Sequence, residues 1–73
     1  MATQIVMDHT GDTRYQFDEA DLAAVSEAED RFNKLTGLGF TAAVRSTSGD
    51  IAVMRTFDAS AEETLFFPRL AGG

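Results

Sequence analysis

The chain has 73 residues, a formal net charge of -6 and no cysteine. That length holds one domain with a modest core, and the missing cysteine excludes disulfides, thiolate ligands and a catalytic thiol. Twelve acidic residues against six basic ones weigh against general nucleic-acid binding, which needs phosphate neutralisation, and suit a basic protein partner.

No basic region followed by an apolar run marks a secretion signal at the N-terminus. No apolar stretch approaches the ~20 residues of a membrane span. The expectation is a folded cytoplasmic domain.

Gln4-Ile5-Val6-Met7-Asp8-His9 is strand-like, although Val6 interrupts the alternation of Ile5 and Met7. Thr10-Gly11-Asp12-Thr13 carries turn chemistry, and Arg14-Tyr15-Gln16-Phe17 alternates again. A β-hairpin is expected over residues 3–17.

A helix is expected next, from an N-cap at Asp18 to Leu35, with Glu19 and Asp21 in its first turn. Leu22, Val25, Phe32 and Leu35 recur at helical spacing, with Ala28 bridging the gap. Arg31 and Lys34 suit the negative end of the helix dipole, and Gly37 or Gly39 ends the element. The apolar stripe is the face that meets a core.

Strand character returns at Phe40–Arg45. Ser46–Asp50 is a turn or short loop, and Ile51–Phe57 is a second strand with Ile51, Val53 and Phe57 on one face. Asp58–Thr64 is expected to form one short helical turn, because Ser60 and Glu63 have the spacing of a capping box. Leu65-Phe66-Phe67 is a last strand, which Pro68 ends or rims because proline has no N–H to donate.

One helix with one apolar stripe needs one sheet face to bury it. The predicted class is α+β, a mixed ββαββ(β) sheet packed on one helix. Residues 1–68 form a single domain, and residues 69–73 form a flexible tail.

Few side chains group for chemistry. Asp8, His9 and Asp12 lack the further spaced ligands of a dedicated metal site, so no metal is expected. No serine sits beside a base, and Gly37-Leu38-Gly39 is explained by helix termination rather than phosphate binding. The protein is not expected to be an enzyme. Asp18, Glu19, Asp21, Glu27, Glu29 and Asp30 make the helical region acidic, either as a solvated face or as a docking face for a basic partner.

The chain closes with Phe66-Phe67-Pro68-Arg69-Leu70-Ala71-Gly72-Gly73. Glycine has no Cβ, so a Gly-Gly end is thin and can enter a narrow slot. This run and the order of elements resemble the β-grasp, ubiquitin-like proteins. The end is similar to that of the small subunit of molybdopterin synthase, where apolar residues and prolines precede a small residue and Gly-Gly. Arg69-Leu70-Ala71-Gly72-Gly73 also resembles the end of ubiquitin. The whole pattern is similar to bacterial ubiquitin-like proteins.

The resemblance implies a β-grasp fold and a carrier or modifier function. A partner of the ubiquitin-activating type would use ATP to adenylate the Gly73 carboxylate. The acyl-adenylate would then become a thiocarboxylate for sulfur transfer, or a thioester for conjugation to a protein. Gly72 would give clearance in the partner's slot, and Pro68, Arg69, Leu70 and Ala71 would be gripped by the partner. No cofactor would be bound by the chain itself, and neither nucleic acid nor membrane would be a partner.

Arg69 stands where the molybdopterin subunits have a second proline, and Ala71 where ubiquitin has a second arginine, so the choice between sulfur transfer and conjugation stays open. Lys34 is the only lysine, which favours a carrier or single tag over a chain-builder. The alternative is a non-catalytic interaction module with an incidental tail, binding through an exposed strand edge or the acidic helix face.

Overall fold

The computed structural model describes residues 1–46 and 48–68. Two strands open the chain, β1 (Ala2–Asp8) and β2 (Gly11–Phe17). They pair antiparallel without a break from Ala2 opposite Phe17 to Asp8 opposite Gly11.

The loop between them is His9-Thr10, earlier than the expected Thr10–Thr13, and Asp12 and Thr13 belong to β2. The Asp8 side chain decides this. Its Oδ1 accepts from the Thr10 N–H at 2.8 Å and from the Thr10 hydroxyl at 2.5 Å, which closes the turn from its first residue. Gly11 then enters β2 at φ +123°, while no non-glycine residue among those described has positive φ. The freedom of Gly11 is used at the start of the strand, and the two loop residues stay in ordinary backbone regions.

The helix α1 runs from Leu22 to Gly37, later than expected at its start. Its N-cap is Asp21 rather than Asp18, with the Asp21 carboxylate accepting from the N–H groups of Ala23 and Ala24 at 3.1 and 3.3 Å. Asp18 instead closes the preceding turn. Its carboxylate takes the Ala20 N–H and its carbonyl the Asp21 N–H, each at 2.9 Å. Glu19 and Asp21 therefore precede the first turn of α1, which holds no acidic residue.

The late start also moves Leu22 out of the core. It is the first helical residue and is 82% exposed, whereas Ala28 and Phe32 are buried and Val25 and Leu35 are half-buried. At the other end, the Leu38 N–H bonds back to the carbonyls of Lys34 and Leu35, and Gly39 turns the chain at φ +101°.

Three strands complete the sheet: β3 (Phe40–Arg45), β4 (Ile51–Val53) and β5 (Glu63–Pro68). Their order is β2-β1-β5-β3-β4, with β1 and β5 parallel and every other neighbouring pair antiparallel. The molecule is thus α+β, one mixed five-stranded sheet and one helix.

The expected strand Ile51–Phe57 is cut short. After β4 the Met54 N–H still reaches the Ala42 carbonyl at 2.9 Å, and the chain then bends at Arg55 and Thr56. The bend separates Phe57 from Ile51 and Val53. Those two remain 57% and 67% exposed, while Phe57 turns into the core.

The expected helical turn at Asp58–Thr64 is a hydrogen-bonded turn without a helix. Asp58 caps it, accepting from the Ser60 N–H at 2.9 Å and the Ser60 hydroxyl at 2.6 Å. Ser60 and Glu63 form no capping box, because Glu63 is already in β5, with its Oε1 3.3 Å from Arg45 Nε. The last strand therefore starts ahead of Leu65.

The core lies between α1 and one face of the sheet. Four phenylalanines form a chain of contacts, with ring centroids 6.4 Å apart for Phe17–Phe57, 5.9 Å for Phe57–Phe32 and 5.8 Å for Phe32–Phe66. Buried Ala2, Ala28 and Ala42 leave room for these rings. Full burial of one such side chain stabilises by about 1.5–3 kcal/mol, so these rings dominate a domain of this size.

Candidate functional site

β5 lies between β1 and β3, so its backbone has a strand partner on each side. Phe66 is fully buried against α1, Phe67 is 36% exposed on the opposite face, and Pro68 is exposed opposite Phe40 of β3. Pro68 is the last described residue. Arg69, Leu70, Ala71, Gly72 and Gly73, the other residues predicted to be gripped or activated, lie outside the described residues.

The face of the sheet turned away from α1 is the surface that the sequence reading missed. Register places Arg14, Ile5, Leu65, Ala43 and Val53 in one row across all five strands. Ile5, Leu65 and Ala43 have at most 6% exposure, and Val53, Ile51 and Phe67 stand exposed around them. A sheet with one packed face ordinarily alternates apolar inward and polar outward. Here Ile5-Val6-Met7 and Leu65-Phe66-Phe67 put apolar side chains on both faces. The Val6 interruption was the available signal, because an unbroken apolar run marks a strand apolar on both sides.

A groove of about 410 Å³ separates α1 from the β1–β2 hairpin, with Asp8, Thr13 and Tyr15 on one wall and Asp30, Arg31 and Lys34 on the other. Arg31 is held from two sides. Its Nη1 donates to Gln4 Oε1 at 2.8 Å, and its guanidinium carbon lies 3.8 Å from the centre of the Tyr15 ring. Gln4 is itself buried and donates from Nε2 to the Ala28 carbonyl at 3.1 Å. Opposite charges from both walls meet in this groove, and its cation nearest the sheet already has partners.

The remaining polar groups close turns. The Thr10 hydroxyl and then the Thr10 N–H hold the Asp8 carboxyl below its ordinary value of 3.8. The Ser60 hydroxyl and N–H do the same for Asp58. Ser46, Ser48 and Asp50 bond to one another across the β3–β4 connection. Among the described residues no three His, Asp or Glu side chains gather to hold a metal, and Asp8, His9 and Asp12 do not converge as one. Glu27, Glu29 and Asp30 are exposed on α1, whereas Asp18, Glu19 and Asp21 lie before it.

No helix among the described residues is long and apolar enough to cross a membrane. Comparison of the chain with protein-family models, with curated proteins and with solved structures gives no match.

Proposed function

We propose that this chain is a β-grasp carrier or modifier whose Gly73 carboxylate is activated by a partner enzyme in the cytoplasm. The observation that carries this reading is the placement of β5. It is an inner strand, parallel to β1, and it leads through Phe66, Phe67 and Pro68 directly into Arg69–Gly73. A scaffold of this kind fixes Phe66, Phe67 and Pro68 in the sheet, and Gly72 and Gly73 are slim enough for a narrow slot.

The chemistry is supplied by the partner. A Gly73 carboxylate oxygen bonds to the α-phosphorus of ATP and pyrophosphate leaves. The resulting acyl-adenylate is then opened by a sulfur donor, with loss of AMP. Sulfide leaves a thiocarboxylate directly. A persulfide forms an acyl disulfide, which a second thiol cleaves to the thiocarboxylate while a disulfide forms. An enzyme thiol leaves a thioester. The chain is a cosubstrate throughout and contributes no catalytic residue. Exposed Phe67, Val53 and Ile51, on the sheet face away from α1, give the activating enzyme an apolar surface, with Phe67 on the side where β5 ends. That same surface also favours a second reading, in which the domain is an interaction module and the tail is incidental.

Intact-mass spectrometry after incubation with ATP, a sulfur source and lysate of the host separates these readings. Replacement of one oxygen by sulfur, absent when Gly72 and Gly73 are deleted, identifies a sulfur carrier. A gain the size of a second protein identifies a modifier. An unchanged mass, with the activating enzymes shown active on a control substrate, leaves the interaction module.

A further inference from the structure

The two ends of the sheet differ. β4, at one end, has three residues, and short length is a common protection against unwanted pairing. β2, at the other end, has seven, and of the usual protections it carries only charged side chains, Asp12 and Arg14. It contains no proline and no lysine, it pairs with β1 without a bulge, and six of its residues are exposed. Nothing in the described fold covers its outer side.

Two charges on β2 form no ion pair or side-chain hydrogen bond among the described residues. Asp12 and Arg14 point to the face away from α1, where they stand opposite Met7 and Ile5 of β1. The ion pair formed among the described residues is Arg45–Glu63, on the other half of the sheet. A strand paired on one side turns the N–H and C=O of every second residue to its open edge. Asp12, Arg14 and Gln16 share that phase. A strand meeting its own copy antiparallel across a two-fold axis must therefore place such residues opposite one another.

The possible axes differ in charge. An axis at Asp12 sets Asp12 against its own copy, and an axis at Arg14 sets two arginines together. An axis at Tyr15 leaves Arg14 opposite Gln16. An axis at Thr13 places Asp12 opposite Arg14 and Arg14 opposite Asp12, which makes two ion pairs. It also sets Thr13 against Thr13, and Tyr15 against Gly11 on the helix side. Opposite charges, paired threonines and an aromatic beside a glycine each favour direct cross-strand neighbours.

We propose that β2 is a self-association edge, pairing antiparallel with β2 of a second copy about a two-fold axis at Thr13. The two five-stranded sheets become one continuous sheet. The interface is isologous, and Asp12 and Arg14 set its register. It rests on the edge of β2 and not on the chemistry of Gly73, so it stands independently of the carrier reading.

Sedimentation equilibrium over a concentration series reaching the millimolar range, at physiological salt, tests this. The wild-type mass should rise from 7.9 kDa towards twice that value. Arg14→Asp sets acid against acid at both pairs and should weaken association roughly tenfold or more. The double exchange Asp12→Arg with Arg14→Asp restores both pairs and should restore association, yet it should not pair with wild type. Far-UV circular dichroism establishes that each variant is folded. A wild-type chain monomeric throughout the series overturns the proposal. So does a dimer indifferent to Arg14→Asp, or a folded double exchange that stays monomeric.

Discussion

Arg31 and Gln4 meet across the interface of helix and sheet, with Arg31 Nη1 donating to Gln4 Oε1 at 2.8 Å. They lie 27 positions apart in the chain. Gln4 is 1% exposed, so its amide needs partners on both ends. The Ala28 carbonyl takes its N–H and Arg31 fills its oxygen. Tyr15, opposite Gln4 on β2, then packs its ring on the guanidinium. The cluster pins α1 to the hairpin where phenylalanine packing gives out.

Gln4→Ala should therefore destabilise the fold by about 1–3 kcal/mol, since it strips a charged donor of its acceptor and leaves a gap in the core. A double-mutant cycle of Arg31→Met with Tyr15→Leu should give a coupling of about 0.5–1 kcal/mol, as expected for a partly exposed cation over an aromatic ring. Urea denaturation measures both, and zero coupling would reduce the stacking to mere proximity.

Phe57 belongs to no strand, yet its ring touches both Phe17 and Phe32. Phe57→Ala should cost about 2–4 kcal/mol. For a chain of this length, total stability is roughly 4–11 kcal/mol, so the variant should unfold at a much lower temperature. Leu22→Gln, at a residue 82% exposed, should stay within about 0.5 kcal/mol of wild type. Thermal melts of the two variants check the contrast, in which Leu22, placed on the core stripe by helical periodicity, is the tolerant position.

Gly11→Ala should destabilise by about 1–2 kcal/mol. No atom lies within 4 Å of the position a Cβ would take, so the whole cost comes from the backbone at φ +123°. A loss within about 0.5 kcal/mol, the usual range for an exposed site, would mean that the hairpin relaxes without strain.

Stability should fall in acid partly through Asp8 and Asp58. Both carboxyls are held below the ordinary 3.8 in the fold, by Thr10 and Ser60 respectively. A depressed folded value means a contribution complete above 3.8 and lost as the pH drops through the folded value. Denaturation midpoints taken across that window should decline more steeply for wild type than for an Asp8→Asn, Asp58→Asn variant, whose side chains still accept from Thr10 and Ser60 but do not titrate there. Equal slopes would assign the acid sensitivity elsewhere.

Local pattern in the sequence determined a good deal of this protein. The hairpin, the helix, the strand at Phe40–Arg45 and the α+β class followed from alternation, helical spacing and turn residues, all of which act within a few positions. The thin Gly72-Gly73 end, with Pro68 before it, was likewise plain in the residues.

Tertiary structure decided the rest, because its causes are distant in the chain. Asp18 and Asp21 are both sound caps, and the chain starts α1 at the one that leaves Leu22 in solvent and seats Ala28 and Phe32 against the sheet. The bend after Val53 follows from the demand of Phe17 and Phe32 for a third ring, which outweighs the local preference of residues 54–57 to continue a strand. The parallel pairing of β1 with β5 brings residues about sixty positions apart into register. That pairing also turned the apolar run Ile5-Val6-Met7 from an imperfect alternation into a strand with two apolar faces. No short window carries such information, since a strand's outward face acquires meaning only when its neighbours are known.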